Sequence, residues 1–193
     1  MRHPHSIKAI RNEVDRVVSA YLDENGSVPN RNSFNINPAN FRPSVLPYVM
    51  AVFYETLRLY PPVPFELKQC EQQTTLPDGT FLPKNAILVW CTWAMNRSKL
   101  TWGEDAVEFK PERWLEDGNF VSKTAFEFPV FNGGPRTCLG KKMAELVAVQ
   151  VISSLVLMFD FVAIDSKERI SRNSLTLPMQ GGLPCFVKPR PQI

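Results

Sequence analysis

The sequence predicts a mainly α-helical fold with small β-sheets, an α+β fold. Apolar residues recur at helical spacing in two segments near the amino terminus, and a third segment is apolar along most of its length. The other apolar runs are short and lie beside Pro, Asp and Gly residues, which is typical of short strands joined by turns. With 44% hydrophobic and 21% charged residues, the chain has the composition of a soluble protein that buries a core.

The first predicted helix carries five aliphatic residues at helical spacing with charged residues between them: Ile7, Ile10, Val14, Val17 and Val18. We expect this helix to end near Asp23. The chain from there to Ser44 is rich in Asn, Pro and Ser and predicts a long loop.

The second predicted helix is entered through Pro47, which suits a first helical turn. Its apolar face consists of Leu46, Val49, Met50, Phe53 and Leu57. Three prolines that cannot continue a helix follow it: Pro61, Pro62 and Pro64.

Short strands are predicted after these prolines. Pro77-Asp78-Gly79 separates Thr74-Thr75-Leu76 from Thr80-Phe81-Leu82, which indicates a turn between two strands, and Ala86 to Trp90 predicts a third strand. We expect a loop from Asn96 to Phe131, and short strands in the tail with Gly181-Gly182 in a turn.

The apolar segment from Leu146 to Phe159 predicts a helix buried in the core. It is shorter than the roughly 20 apolar residues that cross a bilayer, and Gln150, Ser153 and Ser154 interrupt it. The sequence begins at Met1 without a charged-then-apolar leader, so we expect neither a signal peptide nor a transit peptide.

Charge and cysteine content exclude several classes of function. The net charge is +3, which gives no reason to expect nucleic-acid binding. The four cysteines contain no C-x-x-C pair, which argues against a zinc ribbon, an iron–sulfur cluster and a disulfide scaffold. His3 and His5 lie at the amino terminus, so an interior metal would need sulfur or carboxylate ligands.

The strongest motif runs from Phe131 to Gly140 and precedes the helical run that begins at Lys141. Cys138 would lie at the positive end of the helix dipole, which favours an anionic ligand atom. Three glycines, Gly133, Gly134 and Gly140, would permit backbone paths closed to other residues and a close approach to a flat ligand. Arg136 could present its guanidinium to a carboxylate. The alternative is a glycine-rich turn with a buried, inert cysteine.

A second motif is the pair Glu55 and Arg58, whose spacing places acid and base on one face of the second helix. The first helix contains the same pattern at Glu13 and Arg16. The alternative for either pair is a solvated surface ion pair worth ~0.2–0.5 kcal/mol.

The order of these parts resembles the cytochrome P450 family. A helix with Glu55 and Arg58 is followed by the segment Phe109–Trp114, and then by a loop that matches F-x-x-G-x-R-x-C-x-G at Phe131, Gly134, Arg136, Cys138 and Gly140. The resemblance implies a partial cytochrome P450 fold in which these five residues bind haem b and Cys138 is the axial thiolate ligand. It also implies a buried structural triad of Glu55, Arg58 and Arg113.

The resemblance further implies a monooxygenase that inserts one oxygen atom from O2 into an apolar substrate. Val63 and Phe65, and the turn around Leu175 and Thr176, would face the substrate; the alternative is that these segments are core strands. Gly133–Arg136 and Trp102–Ala106 are most similar to the group that hydroxylates fatty acids and alkanes.

Electrons would come from NADPH through a flavoprotein reductase or a ferredoxin. Lys141, Lys142 and Lys123 would face that partner, unless they are simply solvated. The resemblance places the full-length form at the endoplasmic reticulum membrane, on its cytosolic face.

The resemblance covers only the later part of the family's fold. No A-G-x-D-T or A-G-x-E-T pattern, the acid–alcohol motif that assists oxygen cleavage, occurs in the sequence. We therefore expect residues 1–193 to form one incomplete domain, the carboxy-terminal haem-binding part of a longer fold. Two alternatives are a catalytically inactive haem-binding fragment and a haem-thiolate enzyme that rearranges peroxides without a redox partner.

Overall fold

The computed structural model describes residues 3–25, 40–165, 167, 169–172 and 174–190. The helices in these ranges are α1 (Pro4–Asn25), α2 (Pro47–Leu59), α3 (Thr92–Met95), α4 (Lys99–Trp102) and α5 (Lys141–Met158). Three short 3-10 turns lie at Pro111–Trp114, Pro129–Phe131 and Gly134–Arg136. The predicted loop between the first two helices falls mostly outside the described residues.

The strands form four separate two-stranded antiparallel sheets. The pairs are β1 (Glu66–Gln69) with β4 (Ile87–Trp90), β2 (Thr74–Thr75) with β3 (Phe81–Leu82), β5 (Leu115–Glu116) with β6 (Asn119–Phe120), and β7 (Phe159–Ala163) with β8 (Cys185–Pro189). The fold is thus mainly helical with small sheets, as the sequence predicts.

The long helices form where the periodic apolar patterns predict them. In α1, Ile10, Val14 and Val18 are buried, and the helix continues two residues beyond the predicted end. In α2, Pro47 occupies the first turn and the helix ends at Leu59, just before the prolines. The helical spacing indicates these elements because each helix buries one continuous face.

The segment from Asn96 to Phe131, which we predicted to be a loop, contains more structure than expected. It holds α4, two of the 3-10 turns and the β5–β6 hairpin. The hairpin turns through Asp117 and Gly118, both with positive φ (48° and 77°), the geometry that Asp-Gly favours in a two-residue turn. The sequence did not reveal this hairpin because each of its strands has only two residues, too few to show an alternating apolar pattern.

The prediction of a helix buried in the core from Leu146 to Phe159 holds for only one face of α5. One face, with Val149, Ser153, Val156 and Leu157, is buried against the rest of the fold. A second face is exposed and apolar along the helix, with Met143, Val147, Val151 and Leu155 at four-residue spacing. The helix packs against α1 and α2 on one side only, which explains the difference. No helix among the described residues is both long enough and apolar enough to cross a membrane.

The core lies between α1, α2 and α5, and continues through Trp102, Trp114 and Phe128 of the middle segment. Ion pairs join α1 to the last hairpin: Asp15 binds Arg190 at 2.8 Å, and Arg11 binds Asp160. The core therefore connects the helix that carries Glu55 to the helix that follows Cys138.

Candidate functional site

Glu55 and Arg58 form a fully buried ion pair on α2. The guanidinium binds the carboxylate through Nε to Oε2 and Nη2 to Oε1, both at 2.8 Å. Neither side chain is exposed to solvent. A surface ion pair, the alternative for this pattern, is therefore excluded for Glu55 and Arg58.

The remaining donors of Arg58 reach backbone carbonyl groups of the middle segment. Nη1 donates to the carbonyl oxygens of Asn96 at 2.6 Å and Ala106 at 2.5 Å, and Nη2 donates to that of Glu108 at 2.9 Å. All five N–H groups of the guanidinium are thus used. Arg58 ties α2 to two loops that are distant in sequence.

Arg113 completes a cluster around the Glu55 carboxylate. Its Nε lies 3.0 Å from Glu55 Oε1, and its Nη2 lies 3.4 Å from Asp105 Oδ1. The structure therefore brings Glu55, Arg58 and Arg113 together. Sequence reasoning missed Asp105, which also binds the Lys110 amine at 2.8 Å; no local pattern indicates this contact.

Two more donors hold the same carboxylate. The Lys110 backbone N–H donates to Oε1 at 2.8 Å, and Trp114 Nε1 donates to Oε2 at 2.9 Å. Burial alone would raise the pKa of Glu55, but the hydrogen bonds from Arg58, Lys110 and Trp114 outweigh it and hold that pKa below its usual value. The only sequence feature that points to Trp114 as a donor to Glu55 is its position directly after Arg113.

An aromatic cluster connects α2 to the cysteine loop, residues 131–140. Tyr54, one residue before Glu55, packs its ring against Trp114, Phe120, Phe128 and Phe131 at centroid distances of 4.7 to 6.0 Å. Its hydroxyl donates to Glu145 on α5. Burial, together with this hydrogen bond, raises the pKa of the Tyr54 phenol. Phe131, which we expected to contact a ligand, packs against this cluster.

The cysteine loop is closed by its own backbone. The Cys138 N–H donates to the Phe131 carbonyl at 2.7 Å, and the Thr137 N–H to the Gly134 carbonyl at 3.1 Å. The Cys138 carbonyl accepts from the Lys141 N–H at 3.2 Å, where α5 begins. The position of Cys138 is therefore fixed by the entry of the loop on one side and by α5 on the other.

The glycines of this loop have different roles. Gly134 has a φ of 61°, a left-handed conformation that other residues rarely adopt. Gly133 has an ordinary φ, but a Cβ there would lie only 2.8 Å from the Ala125 Cβ. Gly140 has a φ of −82°, and a Cβ there would make an ordinary 3.9 Å contact with Cys138 Sγ. The expectation of a special backbone path holds for Gly134 but is wrong for Gly133 and Gly140.

Cys138 is exposed, which excludes the alternative of a buried cysteine. Arg136 is exposed too, and within the described part of the chain its guanidinium has no hydrogen bond or ion pair. Leu139, between them and α5, is fully exposed, and so is most of Met143. The loop presents a thiol, a free cation and apolar side chains.

The two segments predicted to face a substrate lie next to each other. The Leu177 N–H donates to the Pro62 carbonyl at 3.0 Å, which joins the two segments. The Trp93 N–H of α3 donates to the Pro64 carbonyl at 3.2 Å and holds the first segment at a second point. Val63, Phe65, Leu175 and Thr176 are all exposed, so they are not part of a core strand.

The second acid–base pair, Glu13 and Arg16, differs from the solvated pair we expected. Arg16 is 73% exposed and 4.0 Å from Glu13, whereas the Glu13 side chain is 6% exposed. Glu13 accepts the backbone N–H groups of Tyr48 and Val49 at 2.9 Å each, and so caps the start of α2. Burial raises the pKa of Glu13 above its usual value, despite these hydrogen bonds.

The lysines near the loop have unequal surroundings. Lys141 lies 4.0 Å from Glu145 and 5.7 Å from the centroid of the Phe131 ring. Lys123 is half-buried, and its charge helps to lower the pKa of Glu127, after the larger effect of hydrogen bonds from Thr124. Lys142 is exposed and has no hydrogen bond or ion pair with any described residue.

Comparison with known proteins identifies the family. The Cytochrome P450 family model matches residues 1–186. Cytochrome P450 704C1 of Pinus taeda is 46% identical over 144 residues, which are 74% of this chain and 28% of that protein. Alkane hydroxylase MAH1 of Arabidopsis thaliana is 39% identical over 143 residues, 74% of this chain and 29% of that protein.

A solved structure agrees with the sequence matches. The crystal structure of a cytochrome P450 (CYP102L1) matches with a TM-score of 0.75 at 25% identity, covering 97% of this chain and 39% of that one. The chain thus spans well under half the length of each protein named here. The fold, the order of its elements and the match over nearly the whole chain agree: this protein belongs to the cytochrome P450 family.

Proposed function

We propose that Cys138 would hold haem b as its thiolate ligand in a monooxygenase that inserts one oxygen atom from O2 into an apolar substrate. The observation that carries this proposal is the exposed Cys138 thiol in a closed loop, immediately before α5. When bound, a haem with a thiolate ligand activates oxygen for this insertion. The chain's own residues supply the ligand, its orientation and the apolar surroundings.

The residues around Cys138 fit such a cofactor. The exposed guanidinium of Arg136 could bind a haem carboxylate through two hydrogen bonds. Leu139 and Met143 are exposed and apolar, and would contact the apolar part of the porphyrin. Gly134 and Gly140 add no side chain, which leaves room for a ligand beside the thiol.

The triad of Glu55, Arg58 and Arg113 would act structurally. Its hydrogen bonds join α2 to the Pro111–Trp114 turn, and the aromatic cluster continues this connection to Phe131 at the loop entry. The triad would therefore hold the cysteine loop against α2 and keep Cys138 in place.

The substrate we propose is an alkane or a fatty acid. The exposed segment with Val63 and Phe65, joined to the turn with Leu175 and Thr176 by the hydrogen bond from Leu177 to Pro62, would contact it. The similarity to the Arabidopsis protein named an alkane hydroxylase supports this choice.

The remaining parts of the proposal concern the longer protein. Residues 1–193 would be its carboxy-terminal haem-binding part, an inference supported by the limited share of each relative that the chain covers. Electrons would come from NADPH through a flavoprotein reductase or a ferredoxin. The protein would be bound to the endoplasmic reticulum membrane on its cytosolic face, and this placement rests on the family resemblance.

The test is spectroscopic. The full-length protein is reduced under carbon monoxide, and its absorption band should show the strong red shift that thiolate ligation produces. Cys138→Ser should remove that band, whereas Cys70→Ser, at another free cysteine, should keep it. A band that persists in Cys138→Ser would contradict the proposed ligand.

A further inference from the structure

Asn132, at the entry of the cysteine loop, has a backbone conformation that is unfavourable for every residue except glycine. Its φ is 58° and its ψ is −171°. Asparagine tolerates the left-handed region near ψ of about 47°, but positive φ with extended ψ is essentially a glycine conformation. Residues in such conformations persist only where surrounding contacts hold them.

The Asn132 backbone is directly coupled to Cys138. The peptide group between Phe131 and Asn132 is planar, so its carbonyl and its N–H move together. The carbonyl of this group accepts the Cys138 N–H at 2.7 Å, and its N–H donates to the Pro129 carbonyl at 2.9 Å. A change in the Asn132 conformation would therefore rotate the acceptor that fixes the Cys138 backbone.

The Asn132 side chain has a partner that can hold this conformation. Its amide Nδ2 donates to Glu66 Oε1 at 3.2 Å. Glu66 opens β1 and pairs with Trp90 of β4, so the acceptor belongs to a sheet outside the loop. The preceding side chain, Phe131, is fixed in the aromatic cluster. The loop entry thus has one polar and one aromatic anchor.

We propose that Asn132 and Glu66 are positioning residues: their hydrogen bond holds the strained Asn132 backbone at the loop entry and thereby orients Cys138. This inference rests on the proposed function of Cys138 as a haem ligand. Glycine at position 132 would relieve the backbone strain but would lose the anchor to β1. The amide side chain therefore contributes what glycine cannot.

The experiment uses the full-length protein and the spectrum of its reduced carbon monoxide complex. Asn132→Asp keeps the shape of the side chain but replaces the donor with a carboxylate that repels Glu66. Losing a hydrogen bond to a charged group should lower the ratio of thiolate-ligated to unligated haem by about tenfold. Glu66→Gln still offers an acceptor to Asn132 and should keep the ratio close to that of the wild type.

The decisive variant combines both changes. Asn132→Asp with Glu66→Gln restores an amide–carboxylate hydrogen bond with donor and acceptor exchanged, and should recover the thiolate band. Asn119→Asp, at the exposed asparagine that begins β6, is the matched control and should have no effect. An unchanged ratio in Asn132→Asp, or a double variant that does not fold or does not recover the band, would overturn the inference. A wild-type protein without the band would instead contradict the proposed function.

Discussion

Arg58 donates two parallel hydrogen bonds of 2.8 Å to the Glu55 carboxylate, and neither side chain is exposed to solvent. Burying two charges is unfavourable unless every remaining donor and acceptor is satisfied. Here Arg113, Trp114 and the Lys110 backbone satisfy the carboxylate, and three backbone carbonyls satisfy the guanidinium. Removing either residue of the pair would therefore leave the other buried with fewer hydrogen bonds, which is unfavourable.

Arg58→Ala is expected to lower the free energy of unfolding by about 3–5 kcal/mol, because it leaves a buried carboxylate with too few donors. Arg16→Ala is the matched control, since Arg16 is mostly exposed and should change stability by less than about 1 kcal/mol. Urea titrations of both variants measure the difference. Equal, small losses at the two sites would show that Arg58 contributes no more than a surface residue.

The lowered pKa of Glu55 predicts the sign of a pH effect. Because the pKa is lower in the folded protein than in the unfolded chain, the ionised carboxylate stabilises the fold at pH above its usual pKa of 4.5. This contribution is lost as the pH falls through the lower folded value. We expect Glu55→Gln to be less stable than the wild type at pH 6, with the difference shrinking below pH 4.5.

Glu13 keeps its own raised pKa in both of these proteins, so its opposite pH effect cancels in the difference. Denaturant titrations between about pH 3 and pH 6 measure this difference in the free energy of unfolding between Glu55→Gln and the wild type. A difference that stays constant, or grows as the pH falls, would contradict a carboxylate stabilised by its hydrogen bonds.

The sequence predicts the long helices, but local spacing alone does not distinguish the two acid–base pairs. Local spacing is identical in Glu13–Arg16 and Glu55–Arg58, and both acids are buried. What differs is the partner each acid reaches: two backbone N–H groups of α2 for Glu13, and a cluster of charged and aromatic donors for Glu55. These partners are distant in sequence, so no periodic pattern reveals them.

The cysteine loop shows the same limit. Its motif singles out Cys138 and Arg136, but gives no sign that Gly133 is needed for packing against Ala125. The strained Asn132 and its contact with Glu66 are equally invisible, because asparagine normally indicates a simple turn. Contacts between distant segments decide these positions.

Gly133→Ala is expected to destabilise the protein by about 1–3 kcal/mol, because the new Cβ would lie 2.8 Å from the Ala125 Cβ. Ala125→Gly in the same protein should recover most of the loss. Gly140→Ala, whose Cβ would meet only an ordinary contact, should cost less than Gly133→Ala. The free energies of unfolding of these variants decide the point, and a tolerated Gly133→Ala would show that the loop can move away from Ala125.

The last prediction concerns the electron donor and begins with Lys142, in the first turn of α5. Lys142 is exposed and unpaired among the described residues, whereas Lys141 lies near Glu145. A charge reversal at Lys141 would repel Glu145, which Tyr54 holds, and would disturb the start of α5. Lys142→Glu is therefore the cleaner test of whether this surface attracts an acidic reductase.

If the lysine steers a partner, Lys142→Glu should slow reductase-supported turnover several-fold at low salt, and the loss should shrink as salt rises. The Debye length falls from ~10 Å at 0.1 M to ~3 Å at 1 M, so an exposed charge loses its effect on association over this range. Peroxide-supported turnover needs no partner and should stay nearly unchanged. Lys84→Glu, at an exposed lysine before β4, makes the same charge change elsewhere and should leave both activities intact. An equal loss with peroxide would mean that Lys142 supports the cysteine loop, and no loss in either assay would mean that Lys142 is only solvated.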